Sequence, residues 1–209
     1  MNDLPSIECV ANGPLRVKGL ASLRNSKGEA LPTQAVTVLC RCGGSNNKPF
    51  CDGTHRSNGF SSAKAADRAP DQVHSYRGRH ITLHDNRSVC AHAGRCTDGL
   101  PHTFRYGQEP FIDPDADGVA EIAAIVGQCP SGALSYTLHG APAAASQPQP
   151  AAVVVTPGPY AVTGGIAIDQ PRNSGASPEH YTLCRCGASK NKPFCDGSHW
   201  SAGFKDDKN

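Results

Sequence analysis

The chain has 209 residues, of which 38% are hydrophobic, and it contains 22 glycines and 17 prolines. This composition favours small, loop-rich modules over one large core. The 20 basic and 18 acidic residues give a net charge of +2, and no dense basic stripe interleaves with aromatic residues, which argues against a nucleic-acid partner. The sequence lacks an apolar run of about 18 residues and a signal-peptide pattern. We therefore expect a cytoplasmic protein that does not insert into a membrane.

Cysteine is the residue type that carries most information in this chain. There are ten cysteines, and nine of them fall into three groups of three, which leaves Cys9 alone. In a reducing compartment cysteines stay as thiols, and short regular spacings between thiols indicate metal ligands rather than disulfides. Cys9 by itself is expected to be a small packing residue.

The first module is predicted to span residues 6–62. Two apolar stretches, at 13–20 and 35–39, flank a turn-rich segment and indicate short strands joined by turns. The second stretch leads directly into a run of candidate ligands, which contains Cys40, Cys42, Cys51 and His55.

A second module is predicted at residues 73–140, after a linker at 63–72 that has no apolar period. Residues 81–83 and 135–138 are typical of strands, and the apolar spacing of residues 119–126 predicts a helix. The proline-rich stretch at 141–150 predicts an extended, semi-rigid spacer.

The third module, predicted at residues 152–206, repeats the first. Residues 40–55 return as residues 184–199 with thirteen of sixteen positions identical, and the ligand types keep their places as Cys184, Cys186, Cys195 and His199. The apolar stretch at 13–20 also returns, 145 residues later. A module with so few apolar residues is expected to pair with its copy, so we expect intramolecular pseudo-two-fold symmetry.

The spacing within each run places its ligands in two pairs. Cys40 and Cys42 can reach one metal if the chain turns sharply after them, and Gly43 gives that freedom. Cys51 and His55 are four residues apart and share one face of a helical turn, so they can reach a second metal. Asp52 is placed to cap that turn. From spacing alone an iron–sulfur cluster, a structural zinc ion and a disulfide framework all stay open, with the cluster favoured.

Basic residues lie inside both ligand runs. Arg41 and Arg185 separate the first two cysteines, and Lys48 and Lys192 precede the third. We expect solvated surface charges at these positions. The alternative is that they offset the negative charge of a bound cluster.

Both runs meet the pattern C-x-C-x2-S-x3-P-x-C-D-G-[ST]-H without exception, and they resemble the CDGSH iron–sulfur domain of the mitoNEET (NEET) family. In that family each copy holds one [2Fe–2S] cluster through three cysteines and the histidine, and two copies form an intertwined dimer with a β-rich cap. The resemblance implies Cys40, Cys42, Cys51 and His55 as ligands of one cluster, and Cys184, Cys186, Cys195 and His199 as ligands of the other. Because both copies lie in one chain, we expect a monomer that contains an internal pseudo-dimer.

The middle module holds the third group, Cys90, Cys96 and Cys129. Together with Pro130 and the residues after it, this group resembles the divergent single-cluster ferredoxin domain called Fer4_19. Three cysteines match a [3Fe–4S] cluster, whereas a [4Fe–4S] cluster needs a fourth ligand such as His92. An empty, vestigial fold is the alternative.

The expected fold class is therefore α+β and loop-rich, with two small β-rich CDGSH modules and a ferredoxin-like α+β domain between them in sequence. The first functional hypothesis is a non-enzymatic carrier with two [2Fe–2S] clusters that exchanges single electrons with a redox partner protein. The second is cluster storage, transfer to an apo iron–sulfur acceptor, or redox or pH sensing. The third is a structural zinc or apo interaction module. A neutral imidazole in place of one thiolate makes reduction easier than in an all-cysteine ferredoxin.

Overall fold

The computed structural model of the protein describes residues 4–142 and 150–206, and the expected proline-rich spacer lies almost entirely outside them. Within these ranges, short strands form three four-stranded sheets. The strands are β1 Ser6–Cys9, β2 Leu15–Lys18, β3 Leu23–Arg24, β4 Val36–Leu39, β5 His74–Arg77, β6 Ile81–Asp85, β7 Leu134–Leu138, β8 Ala141–Pro142, β9 Ala152–Val155, β10 Tyr160–Thr163, β11 Ala167–Ile168 and β12 Tyr181–Leu183. The helices are α1 Arg95–Gly99 and α2 Val119–Val126, with 3-10 turns at Thr54–Arg56 and Arg87–Val89. None of the described helices has the length and apolarity needed to cross a bilayer.

The first sheet has the strand order β11-β1-β2-β4. Its central strand β2 alternates in burial, with Leu15 and Val17 inside and Lys18 exposed. Antiparallel pairing places Val17 opposite Ile7 on β1 and Leu15 opposite Leu39 on β4. Because alternate side chains point to one face, this register collects the apolar side chains on the core side of the sheet.

The second sheet has the order β12-β10-β9-β3. Its strand β10 begins 145 residues after β2, and it too pairs with antiparallel strands on both sides. Tyr160 and Val162 on β10 are fully buried, opposite Val155 and Val153 on β9. The repeated hairpin of the sequence therefore becomes an equivalent piece of sheet.

The two repeats, residues 6–62 and 152–206, exchange one strand in each direction. Strand β3 of the first repeat pairs in parallel with β9 of the second, through Leu23 and Val153. Strand β11 of the second repeat pairs in parallel with β1 of the first, through Ile7 and Ile168. Each repeat thus completes the other's sheet, so backbone polar groups on one side of these strands find their partners in the other repeat.

A buried hydroxyl also links the repeats next to the first ligand run. The Tyr160 hydroxyl donates to the carbonyl oxygens of Cys40 at 2.6 Å and Pro49 at 3.0 Å, and this side chain is fully buried. The hydroxyl of Tyr181, by contrast, donates at 2.8 Å to Ile166 within the second repeat.

Replacing Tyr160 with phenylalanine is expected to lower the free energy of unfolding by about 1–3 kcal/mol, because the Cys40 carbonyl loses the hydroxyl donor and the Pro49 carbonyl keeps only the Cys40 amide. Urea denaturation measures this loss. Tyr181→Phe is the matched control, since it removes a buried hydroxyl that does not touch the first ligand run. We expect only Tyr160→Phe to weaken metal binding by Cys40. A variant as stable as the parent would contradict this role of the hydroxyl.

The third sheet, with order β5-β6-β7-β8, belongs to the middle segment, residues 73–140, apart from the last strand. The predicted strands at 81–83 and 135–138 are confirmed as β6 and β7. The predicted helix is confirmed as α2, which buries Ile122 and Val126 on one face. The helical period of the apolar residues is therefore explained by packing against the core.

The middle segment packs against the second repeat through buried amide side chains. Asn191 Nδ2 donates to the Ser88 carbonyl at 2.8 Å, and Asn173 Nδ2 donates to Ser88 Oγ at 2.8 Å. Asn191 is 1% exposed, whereas Asn47, its counterpart in the first repeat, is exposed. Because buried amides need partners, these bonds fix the position of the middle segment. The sequence left this placement open.

Candidate metal centres

Backbone hydrogen bonds hold the two halves of the first ligand run side by side. The Cys40 amide donates to the Pro49 carbonyl at 2.8 Å, and the Cys51 amide donates to the Val38 carbonyl at 3.0 Å. The run therefore folds back on the end of β4, which brings Cys40 and Cys51 to neighbouring positions. The second repeat makes the same two bonds at its own cysteines.

The turn that carries the histidine is capped by Asp52, as the sequence predicted. Asp52 Oδ1 accepts from the Thr54 amide at 3.0 Å, and Oδ2 accepts from the Asn46 amide at 2.8 Å. The hydrogen bonds from Thr54 and Asn46 hold the pKa of Asp52 below its ordinary value. Asp196 makes the equivalent bonds in the second repeat. The anionic cap thus joins both ends of each ligand loop.

In the first repeat the candidate ligands form two close pairs. The Sγ atoms of Cys40 and Cys42 are 3.7 Å apart, and Cys51 Sγ is 3.4 Å from His55 Nδ1. Two ligands on one tetrahedral metal lie about 3.3–3.8 Å apart when the metal–ligand bonds are about 2.0–2.3 Å. Each pair therefore has the separation needed to hold one metal ion.

The second repeat reproduces this geometry. The Sγ atoms of Cys184 and Cys186 are 3.8 Å apart, and Cys195 Sγ is 3.6 Å from His199 Nδ1. Among the described residues, no group of three or more His, Cys, Asp or Glu side chains surrounds a position for one metal ion. Each repeat therefore presents its four donors as two close pairs.

The two repeats differ in how far their Cys/His pairs are covered. In the second repeat Cys195 is 2% and His199 is 8% exposed. In the first repeat Cys51 and His55 are both half-buried. Burial lowers the pKa of His199 and raises that of Cys195 to about 12. Near-identical sequence runs therefore sit in unlike environments.

Metal binding at the second site is expected to be coupled to loss of protons from its thiols. The hydrogen bond between Cys184 and Cys186 raises the pKa of the Cys184 thiol and lowers that of Cys186 to about 6. Thiolates are the form that binds metal, and burying them without a positive partner is costly. Metal loading should therefore release protons from this site.

The arginines inside the runs are buried, which corrects the expectation that they are surface charges. Arg41 is 3% and Arg185 is 1% exposed. Arg41 Nε donates to the Gly13 carbonyl at 2.7 Å, and Arg185 Nε donates to the Gly158 carbonyl at 3.1 Å. Each arginine thus ties its ligand run to the turn of a hairpin, the turn between β1 and β2 for Arg41 and that between β9 and β10 for Arg185. Sequence composition gave no signal for this, because burial of a charged residue depends on its partners.

The three cysteines of the middle segment line one cavity of about 390 Å³. Cys129 is buried, and Cys90 and Cys96 are half-buried. Burial raises the pKa of Cys90 to about 12 and that of Cys96 above its ordinary value. The cavity also contains polar side chains from Asp85, His92 and Ser131. The thiols fit an iron–sulfur group, and the fourth position of a four-iron group would fall to a non-cysteine residue.

All ten cysteines are free thiols in the structure. A thiol-lined cavity and two sets of paired Cys/His ligands match the donor types of iron–sulfur proteins. Comparison with known families agrees with this class. The model zf-CDGSH, described as "Iron-binding zinc finger CDGSH type", matches residues 12–56 and 157–200. The model Fer4_19, described as "Divergent 4Fe-4S mono-cluster", matches residues 76–139.

The chain belongs to the CDGSH family of iron–sulfur proteins and carries a Fer4_19 domain between its two CDGSH segments. It is also 38% identical over 61 residues to "Uncharacterized protein YjdI" of Escherichia coli strain K12, and equally to YjdI of Escherichia coli O157:H7. Each match covers 29% of this chain and 80% of YjdI. No solved structure matches the chain significantly.

Proposed function

We propose that the protein binds two [2Fe–2S] clusters, each through three cysteines and one histidine, and acts in one-electron transfer. The observation that carries this proposal is the pairing of ligands at 3.4–3.8 Å in both repeats. A two-iron cluster takes two protein ligands at each iron. A mononuclear zinc site would instead need all four donors around one point.

We also propose that the protein is an electron carrier without catalytic side chains. We expect it to act in the cytoplasm, where thiols stay reduced. Its partner is another redox protein. The reciprocal strand exchange between the repeats supports an internal pseudo-dimer with approximate two-fold symmetry, and therefore a monomeric chain.

The chain itself supplies hydrogen bonds to ligand sulfur. In the second repeat the Ala188 amide donates to Cys186 Sγ at 3.4 Å, and the Gly197 amide donates to Cys195 Sγ at 3.4 Å. Donors to sulfur stabilise added negative charge and so favour the reduced form of a bound cluster. The neutral imidazoles of His55 and His199 also favour the reduced form of a bound cluster.

A second candidate function is transfer or storage of a cluster. The half-buried Cys51 and His55 favour this function, because an acceptor protein can reach a partly exposed ligand pair and replace it on the iron. Zinc is a third occupant that the donor set allows. In the middle cavity, Cys90, Cys96 and Cys129 are proposed to hold a third group, [3Fe–4S] or [4Fe–4S].

Iron, acid-labile sulfide and zinc counted per chain in protein purified without air test this proposal. We expect about four irons and four sulfides from the two CDGSH sites, and about seven or eight irons if the middle cavity is also loaded. Zinc without sulfide would reject the iron–sulfur proposal. Reversible reduction with full retention of iron would favour electron transfer, whereas loss of intact cluster to an apo-ferredoxin would favour the second candidate.

A further inference from the structure

We propose that Trp200 and His92 form a shared wall that couples the middle cavity to the second CDGSH site, and that the first CDGSH site has no such coupling. This inference rests on the proposed iron–sulfur function. It makes the two CDGSH sites unequal partners in electron transfer, although their sequences are nearly identical.

The second CDGSH site touches one side of the wall. The ring of Trp200 lies 5.2 Å from the ring of His199, centroid to centroid, at an interplanar angle of 36°. Trp200 Nε1 donates to the His92 carbonyl at 3.1 Å. A Cβ atom placed on Gly197 would lie 2.6 Å from two ring atoms of His92. The His92 ring therefore packs directly on the ligand loop between Cys195 and His199.

The middle cavity touches the other side of the same wall. His92 and Trp200 both line the cavity that contains Cys90, Cys96 and Cys129. One layer of aromatic and imidazole side chains thus separates this cavity from His199. Both side chains are also exposed to solvent, Trp200 by 68%. Electron tunnelling falls steeply with distance, so a single layer of side chains between two redox sites favours transfer between them.

The first CDGSH site lacks this wall. Arg56 occupies the position equivalent to Trp200, so the first site has no aromatic ring at this position. A Cβ atom placed on Gly53, the counterpart of Gly197, would have no atom from the described residues within 4 Å, apart from its chain neighbours. Asn47 is exposed where Asn191 is buried against Ser88. The docked middle segment therefore covers only the second site.

The exchange that this wall allows is a one-electron step. The site that is oxidised loses one electron and the site that is reduced gains it, and no bond is made or broken. The first electron comes from a one-electron donor protein, or from dithionite in the experiment below.

Two variants that each keep one CDGSH site test the coupling. Cys51→Ala keeps the second site, and Cys195→Ala keeps the first. Both variants are loaded with iron and sulfide, reduced with dithionite and measured by electron paramagnetic resonance. In Cys51→Ala we expect the remaining [2Fe–2S] signal to be broadened and to relax faster because of the middle centre. In Cys195→Ala we expect loss of this broadening. Equal linewidths and relaxation in the two variants would overturn the proposal. A parent protein without any iron–sulfur signal would instead reject the proposed function.

A second pair of variants tests the wall without bound metal. Gly197→Ala and Gly53→Ala both place a methyl group on a backbone with positive φ, +84° and +92°, so they share the backbone cost. Only the methyl group of Gly197→Ala would contact the His92 ring. Trp200 is the only tryptophan, so its fluorescence reports on the wall. We expect a changed emission intensity in Gly197→Ala, because displacement of His92 breaks the hydrogen bond from Trp200 Nε1 to the His92 carbonyl, and the parent spectrum in Gly53→Ala. An unchanged spectrum in Gly197→Ala, or the same change in both variants, would overturn the proposal.

Discussion

Chelation of iron from the loaded protein is expected to proceed in two phases, with the first CDGSH site emptied before the second. Cys51 and His55 are half-buried, whereas Cys195 is 2% and His199 is 8% exposed. A chelator reaches a covered site only after local opening, and every 1.4 kcal/mol of opening free energy slows the reaction about tenfold. The loss of visible absorbance in excess chelator measures both phases.

Single-site variants assign the phases. Cys51→Ala should abolish the fast phase and leave the slow one, and Cys195→Ala should do the reverse. A single phase in the parent protein, or assignment of the fast phase to Cys195, would show that burial of the ligands does not control cluster loss.

Replacing Arg185 with methionine is expected to lower the free energy of unfolding by about 3–5 kcal/mol, because it breaks a buried ion pair from one side. Arg185 pairs with Asp206, whose side chain is 3% exposed, and also donates to the Thr156 carbonyl at 2.7 Å. Its guanidinium lies 4.9 Å from the ring centroid of Phe204. Chemical denaturation of the metal-free protein measures the loss without interference from cluster chemistry.

Arg41→Met is the matched control in the first repeat. Arg41 donates to the carbonyls of Gly13 and Val10, so we expect a smaller loss of about 1–3 kcal/mol. Adding Asp206→Asn to Arg185→Met should restore part of the stability, because the buried carboxylate then loses its charge. If Arg185→Met costs no more than Arg41→Met, the ion pair does not contribute as described.

The local features of this protein could be predicted from sequence because short-range physical rules determine them. The helical period of the apolar residues predicted helix α2, and the strand-like stretches at 81–83 and 135–138 predicted strands β6 and β7. The spacing of Cys40, Cys42, Cys51 and His55 predicted two ligand pairs, and the structure brings the members of each pair within 3.4–3.7 Å. The assignment of these residues to a cluster is still a prediction.

The sequence missed features that depend on partners far apart in the chain. It suggested surface charges at Arg41 and Arg185, which are buried because carbonyl groups and, for Arg185, a carboxylate accept their hydrogen bonds. It gave no role to Trp200 or Tyr160. The one available signal was that Trp200 is the single tryptophan and stands where the first repeat has arginine.

By itself, the sequence determined the candidate ligands, their spacing and the repetition of the module, because thiols and imidazoles at fixed intervals constrain a local loop. Only the tertiary structure decided which copy the middle segment covers. The strands that the repeats exchange, and the amides that bind Ser88, come from segments roughly 85 to 160 residues apart. Such contacts depend on the packing of whole surfaces, so two nearly identical ligand runs end in different environments.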